Sequence, residues 1–149
     1  MYMKYLITFT FIIYNLTINA ANYDVKMLNQ GSTGVMVFEP AVLKINVGDT
    51  VTFKSIDAAH NSASIPGMIP AAASPWNGEL SQDLTVSFDV AGIYGYQCTP
   101  HSMMAMVGVI EVGNDQSNMN EVKSAAQTFK STFVMNQSRL DDYLAQINE

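Results

Sequence analysis

The stretch Asp83-Leu84-Thr85-Val86-Ser87-Phe88-Asp89 alternates apolar and polar residues, so that Leu84, Val86 and Phe88 fall on one side and Thr85 and Ser87 on the other. That period of two is what a strand with one buried and one wet face requires. Working outward, Val51 and Phe53 repeat it after the turn residues Gly48-Asp49, and Tyr94 and Tyr96 repeat it after Gly92. Strands are expected near residues 23–29, 35–38, 41–46, 50–54, 62–65, 83–89, 92–98 and 105–112. Their recurrence at roughly ten-residue intervals is the spacing of an all-β sandwich. From Ile65 to Gly78 the pattern is broken by Pro66, Pro70 and Pro75, a run of alanines and the chain's one tryptophan, an irregular excursion that fits a Greek-key crossover.

After Gly113 the period changes. Val122, Ala125, Ala126 and Phe129 fall at helical spacing, as do Leu140, Tyr143, Leu144 and Ile147, and Ser138 with Asp141 reads as a capping box opening the second run. The organisation expected is an export signal over 1–20, a sandwich over 21–113, and a helical extension of the same domain over 114–149. Two C-terminal helices then pack against about eight strands.

The export signal rests on the first twenty residues, where Lys4 is the one charge, an apolar run covers Tyr5 to Leu16, and Ala20-Ala21 offers a cleavage point. An uncleaved anchor is the competing reading, but such a run is too short for a bilayer, which takes roughly 20 apolar residues. Removing 20 residues from 149 leaves 129, and losing Lys4 takes the formal charge from −6 to about −7. That is one domain with room for a core, and its acidity excludes nucleic acid and anionic membrane as partners of the mature form. The chain's one cysteine, Cys98, has no partner for an intramolecular disulfide. It is therefore a buried filler, a reactive thiol, an intermolecular link or a metal ligand. Asn136-Gln137-Ser138 matches a glycosylation sequon, a motif short enough to arise by chance.

The residues that carry chemistry gather in Cys98-Thr-Pro-His101-Ser-Met103-Met104-Ala-Met106, with a second histidine upstream in His60-Asn61. All stand at the ends of expected strands or in the loops just beyond them, where a sheet scaffold holds its functional groups. Two imidazoles, one thiolate and a weak thioether are the donor set of a blue-copper electron-transfer centre. Structural zinc is the main competitor, yet it takes four Cys or His ligands, and a methionine would be foreign to it. Taken singly, a buried cysteine or a methionine-rich stretch is packing. The conjunction of both histidines and the one cysteine argues for a metal, while spacing alone leaves Met103, Met104 and Met106 open as the thioether.

These motifs, together with Met27-Leu-Asn-Gln-Gly31, Met36-Val-Phe-Glu-Pro40, Val47-Gly-Asp-Thr-Val-Thr-Phe53, Gly67-Met-Ile-Pro70, Gly92-Ile-Tyr-Gly-Tyr-Gln-Cys-Thr-Pro-His101 and Gly108-Val-Ile-Glu-Val-Gly113, make the chain resemble the cupredoxins, and among them the pseudoazurins. The helical tail separates it from plastocyanin. The resemblance implies a cupredoxin-like Greek-key sandwich and one copper per chain held by His60, Cys98, His101 and Met106. It implies that Asn61 locks the first ligand loop and that backbone N–H groups donate to the Cys98 sulfur, to which Pro100 has none to give. It further implies a periplasmic electron carrier, not an enzyme, whose partners are redox proteins such as a copper nitrite reductase or a cytochrome, and the small interfaces of such transient encounters favour a monomer.

One feature of the resemblance is missing. Lysines that would ring His101 are replaced by Gln30, Ala58, Asn77 and Gln97, whereas an apolar face of Met36, Pro100, Met103 and Met104 is retained. Two other functions stand beside the electron carrier: copper storage or delivery, with Met103 and Met104 as extra soft ligands, and a sandwich whose thiol is purely structural.

Overall fold

A computed structural model describes residues 20–147, so the export signal expected at the N-terminus falls, but for Ala20, outside the described residues. Eight strands form two four-stranded sheets. The first takes β1 (Asn22–Gly31), β2 (Gly34–Glu39), β4 (Thr50–Ser55) and β6 (Leu84–Ser87) in the order β2-β1-β4-β6, with β1 parallel to β4. The second takes β3 (Val42–Ile45), β5 (Ala63–Ser64), β7 (Gly92–Gln97) and β8 (Val107–Val112) in the order β3-β8-β7-β5, with β3 parallel to β8. The excursion after β5 carries the chain from the second sheet back to the first, the crossover its prolines suggest.

The strands follow the alternation that predicts them. Val25, Met27, Val51 and Phe53 point inward from the first sheet and meet Tyr94, Tyr96, Ile110 and Val112 from the second. Edge-to-face contacts of Tyr96 with Phe38 and Phe53, at centroid separations of 4.8 and 5.0 Å, fill the middle of the sandwich. Gly108, opposite Tyr96 in the register, is required here, because a Cβ would stand 2.2 Å from the Tyr96 ring and 2.6 Å from the Ala41 carbonyl. The excursion also belongs to this core: Trp76 stacks on Phe53, and its indole N–H donates to Ser62 Oγ at 3.0 Å.

A second core lies on the other face of β7 and β8. Ile93, Val107 and Val109 point away from the sandwich and pack against α1 (Met119–Lys130) and α2 (Arg139–Ile147) through Val122, Ala126, Leu140, Leu144 and Ile147. The helical stripes are thus core faces, as their spacing implies. The capping box differs from expectation: Ser138 Oγ bonds Asp142 rather than Asp141, whose carboxylate instead pairs with Lys130 on α1. A long-range ion pair has taken the side chain that local pattern assigned to the cap. Among the described residues no helix is long and apolar enough to cross a membrane.

Tyr94 closes the corner into β7, its hydroxyl donating to the Val90 carbonyl at 2.6 Å. Burial, with the Asp89 charge adding to it, pushes this phenol up from 10.0 to about 12. A phenol with a raised pKa in the fold stabilises the fold while protonated. That contribution is whole below pH 10 and is lost as pH rises toward 12. Denaturation across this window should show stability falling with pH, and Tyr94→Phe should flatten the fall by up to about 1.4 kcal/mol per pH unit.

Candidate metal centre

The sheet builds the centre from two places at one end of the sandwich. Cys98 follows β7 with the parity of Tyr94 and Tyr96, so its side chain enters the inter-sheet core and is wholly buried. Met106, just before β8, shares the parity of Ile110 and Val112 and lies in the same core, also wholly buried. The β7–β8 register, extended by one pair beyond Gln97↔Val107, sets the two opposite each other, and Cys98 N–H donates to the Met106 carbonyl at 2.9 Å. Between them runs a 3-10 helix over Thr99–Met104, which places His101 above the pair. His60 arrives from the segment between β4 and β5.

Cys98 Sγ lies 3.6 Å from His60 Nδ1 and 3.4 Å from His101 Nδ1, and the three donor atoms fall within 4.8 Å of one another. Bond lengths of roughly 2.0 Å to nitrogen and 2.3 Å to sulfur around a trigonal ion put sulfur and nitrogen roughly 3.7 Å apart. The donors are therefore already spaced for a metal. Four sequence-predicted residues are brought to one end of the fold, three as a converging donor cluster and Met106 through the core and the backbone bond. The other two methionines stand apart, Met103 being 54 % exposed and Met104 half-buried.

Polar neighbours fix each donor. His60 Nε2–H donates to Asn29 Oδ1 at 3.0 Å, which leaves the Nδ1 lone pair free for an ion and sets the ring's orientation. Asn61 bridges the two ligand loops: Oδ1 accepts from Thr99 N–H and Thr99 Oγ1 at 2.8 and 2.7 Å, while Nδ2 donates to the Gly78 carbonyl and to Asn77 Oδ1. Burial lowers the His60 pKa, with the nearby His101 adding to the effect, so the neutral, metal-binding imidazole is favoured. Burial raises the Cys98 thiol, but backbone N–H groups of Asn61 and His101 pull it back by donating toward sulfur. A cation held there would stabilise the thiolate in place of the proton. Among the described residues no carboxylate joins the cluster, and imidazole with thiolate and thioether is the soft set that suits copper.

Asn29 was not singled out by its type, yet a signal exists: it shares the parity of the buried Val25 and Met27 but is polar and exposed, near the end of β1 where that face leaves the core. Arg139, whose guanidinium donates to the Ala105 carbonyl at 3.0 Å, carries no such signal in the apolar stripe of α2.

Comparison with known proteins agrees with this geometry. Residues 25–113 match the family described as copper binding proteins, plastocyanin/azurin family. A pseudoazurin of Methylorubrum extorquens is 40% identical over 83% of this chain and 80% of its own, and one of Paracoccus pantotrophus is 36% identical over 87% and 86%. The crystal structure of pseudoazurin from Methylobacterium extorquens superposes with a TM-score of 0.75 at 39% identity, covering 85% of this chain and 98% of that one. The chain belongs to the plastocyanin/azurin family of copper-binding proteins and, within it, to the pseudoazurins. It is a blue-copper electron-transfer protein, and its cofactor is copper.

The Asn61 bridge ties both ligand loops without any metal. Asn61→Ala should destabilise the copper-free protein by about 1–2 kcal/mol, the cost of losing the hydrogen bonds that this buried side chain makes to partly exposed partners, as read from chemical denaturation.

Proposed function

We propose that His60, Cys98, His101 and Met106 are the ligands of one type 1 copper, through the two Nδ1 atoms, the thiolate and the thioether, with Met106 in the axial place. The observation that carries this reading is the convergence of the three donors within 4.8 Å, opposite a buried methionine whose backbone is paired to the cysteine. Bound copper supplies a one-electron Cu(I)/Cu(II) couple. The chain holds the donors through Asn29, Asn61 and the hairpin, so little needs to move when the charge changes. His60 is wholly buried, whereas His101 is half-buried and is the ligand whose outer edge can hand an electron to a partner. No substrate bond is made or broken, so the protein is a carrier rather than an enzyme.

The setting proposed is the periplasm, after removal of the N-terminal apolar segment, and the working form is a monomer that meets its redox partners briefly. Pro100 and Met103 are exposed and Met36 and Met104 half-buried, which supplies an apolar contact face beside His101. Gln30, Ala58 and Asn77 are exposed and Gln97 half-buried, all neutral. A copper nitrite reductase or a cytochrome would then be recognised by apolar contact more than by charge. Its electron-transfer on-rate should change little between low and physiological ionic strength in stopped-flow measurements, since no lysine ring steers the approach.

Copper(II) added to the folded protein should give one bound copper per chain, an intense thiolate-to-copper charge-transfer band and the matching paramagnetic resonance signal. The band should vanish in Cys98→Ser; a band that persists there would sink the assignment. Met106→Ala should perturb the spectrum and the potential, whereas Met104→Ala should weaken partner docking and leave the spectrum alone. Uptake of more than one Cu(I) per chain with ready exchange would favour storage or delivery, with the exposed Met103 as an extra ligand.

A further inference from the structure

Arg139 is a cation in an unfavourable place. It opens α2, where the helix dipole disfavours positive charge, and it is 8 % exposed. Among the described residues no carboxylate pairs with it; the ion pairs are Lys44–Glu111, Lys54–Asp83 and Lys130–Asp141. A buried guanidinium is tolerated when its N–H groups find acceptors. Its acceptors are main-chain carbonyls: Nη1 donates to Met36 and Ala105 at 3.0 Å each and to Val35 at 3.3 Å, and Nη2 to Val35 at 3.4 Å.

Those carbonyls mark strained points of the chain. Met36 has φ 49° and Ala105 has φ 57°, both left-handed without being glycine. Ala105 is the residue before Met106, and its bend turns the ligand loop into β8. The same C-terminal segment holds the two preceding carbonyls, with Val134 N–H donating to Met103 at 2.8 Å and Asn136 Nδ2 to Met104 at 3.2 Å. Three successive loop carbonyls, those of residues 103 to 105, are thus tied down by residues 134, 136 and 139. Of the three donors, Arg139 alone is buried, and it alone also grips the β1–β2 hairpin.

We propose that Arg139 is a positioning residue for the copper centre: its guanidinium fixes the Ala105 carbonyl against the hairpin and thereby sets how closely the Met106 thioether approaches the metal. This rests on Met106 being the axial ligand. A weak, long bond is the member of the set most sensitive to a small backbone displacement, and it is the one that tunes the potential. Nη1 reaches both chain segments, and the rigid guanidinium plane, anchored by Nη2 on the Val35 carbonyl, holds that nitrogen in place better than a lysine's flexible stem would. The C-terminal helices then do more than cover the sheet, for their first turn holds a part of the redox site.

The test loads Arg139→Gln and Arg139→Lys with one copper and records visible and paramagnetic resonance spectra, the midpoint potential, Cu(I) retention and Tm. Each is made in the native and in the Met106→Leu background. Arg139→Gln should change the ratio of the charge-transfer bands, shift the midpoint and weaken Cu(I) binding roughly tenfold, the lower end of what losing a ligand's support costs. Arg139→Lys should fall between it and the native protein. In the Met106→Leu background the spectral and potential changes should disappear, a non-additivity that marks action through Met106. A folded, loaded Arg139→Gln with native spectrum and midpoint and only a lower Tm would overturn the proposal; should that variant fail to fold, the same result for Arg139→Lys would do so. An undiminished effect in the Met106→Leu background would overturn it too. If Met106→Leu itself leaves the spectrum native, the axial assignment is what fails, and the proposal goes with it.

Discussion

The hydrogen bond from Cys98 N–H to the Met106 carbonyl, at 2.9 Å, is the contact on which the centre depends. It continues the β7–β8 ladder by one pair, so two sulfur-bearing residues eight positions apart in sequence share one face of one sheet. A slip of one residue between these strands would keep only one of the two side chains in the sandwich interior and turn the other toward the helices. The register is held by size as well as by hydrogen bonds. Gly108 lets the Tyr96 ring lie across β8, and no other residue type fits there without shifting that ring or the Ala41 carbonyl.

Rigidity at this point comes from burial on both sides. Every residue of β8 is buried, since Ile110 and Val112 serve the sandwich core while Val107 and Val109 serve the helical one. Most small sandwiches leave one face of a sheet to solvent. Here α1 and α2 cover it, and a strand packed on both faces has few low-energy distortions open to it. A redox centre gains directly from that, because donors that cannot relax toward the preference of either oxidation state keep the rearrangement between the two small.

Alternation made the sandwich legible, and the same alternation explains the site once a structure supplies the pairing. Leu84, Val86 and Phe88, or Tyr94 and Tyr96, declare their face by spacing alone. Cys98, His101 and His60 were readable as donors because both histidines and the one cysteine fall together at or beyond expected strand ends, a conjunction that packing alone does not call for. The choice of Met106 over Met103 and Met104 was open to spacing and rested on family resemblance; parity and burial now favour it on physical grounds. Asn29, Arg139 and the Ser138–Asp142 contact escaped because each is defined by a partner distant in sequence or by competition between partners. Asn29 meets a histidine 31 positions away, Arg139 meets a carbonyl 34 positions away, and Asp141 was drawn off its expected cap by Lys130. A local pattern carries no information about such partners.

Charge explains why these particular neighbours surround the donors. With the ligand set proposed, Cu(I) and a thiolate sum to zero while Cu(II) and a thiolate leave one positive charge. Burial disfavours net charge, so a wholly buried Cys98 and His60 bias the centre toward its reduced form. A second anion beside the thiolate would reverse that bias, and among the described residues no carboxylate joins the cluster, in a chain whose net charge is −6. N–H donation from Asn61 and His101 toward the Cys98 sulfur lowers its electron density and acts in the same direction. In the proposed centre the backbone donors to sulfur and the depth of Cys98 and His60 would thus act on the potential beside the Met106 thioether, and the strand register that places Cys98 opposite Met106 positions two of the four ligands.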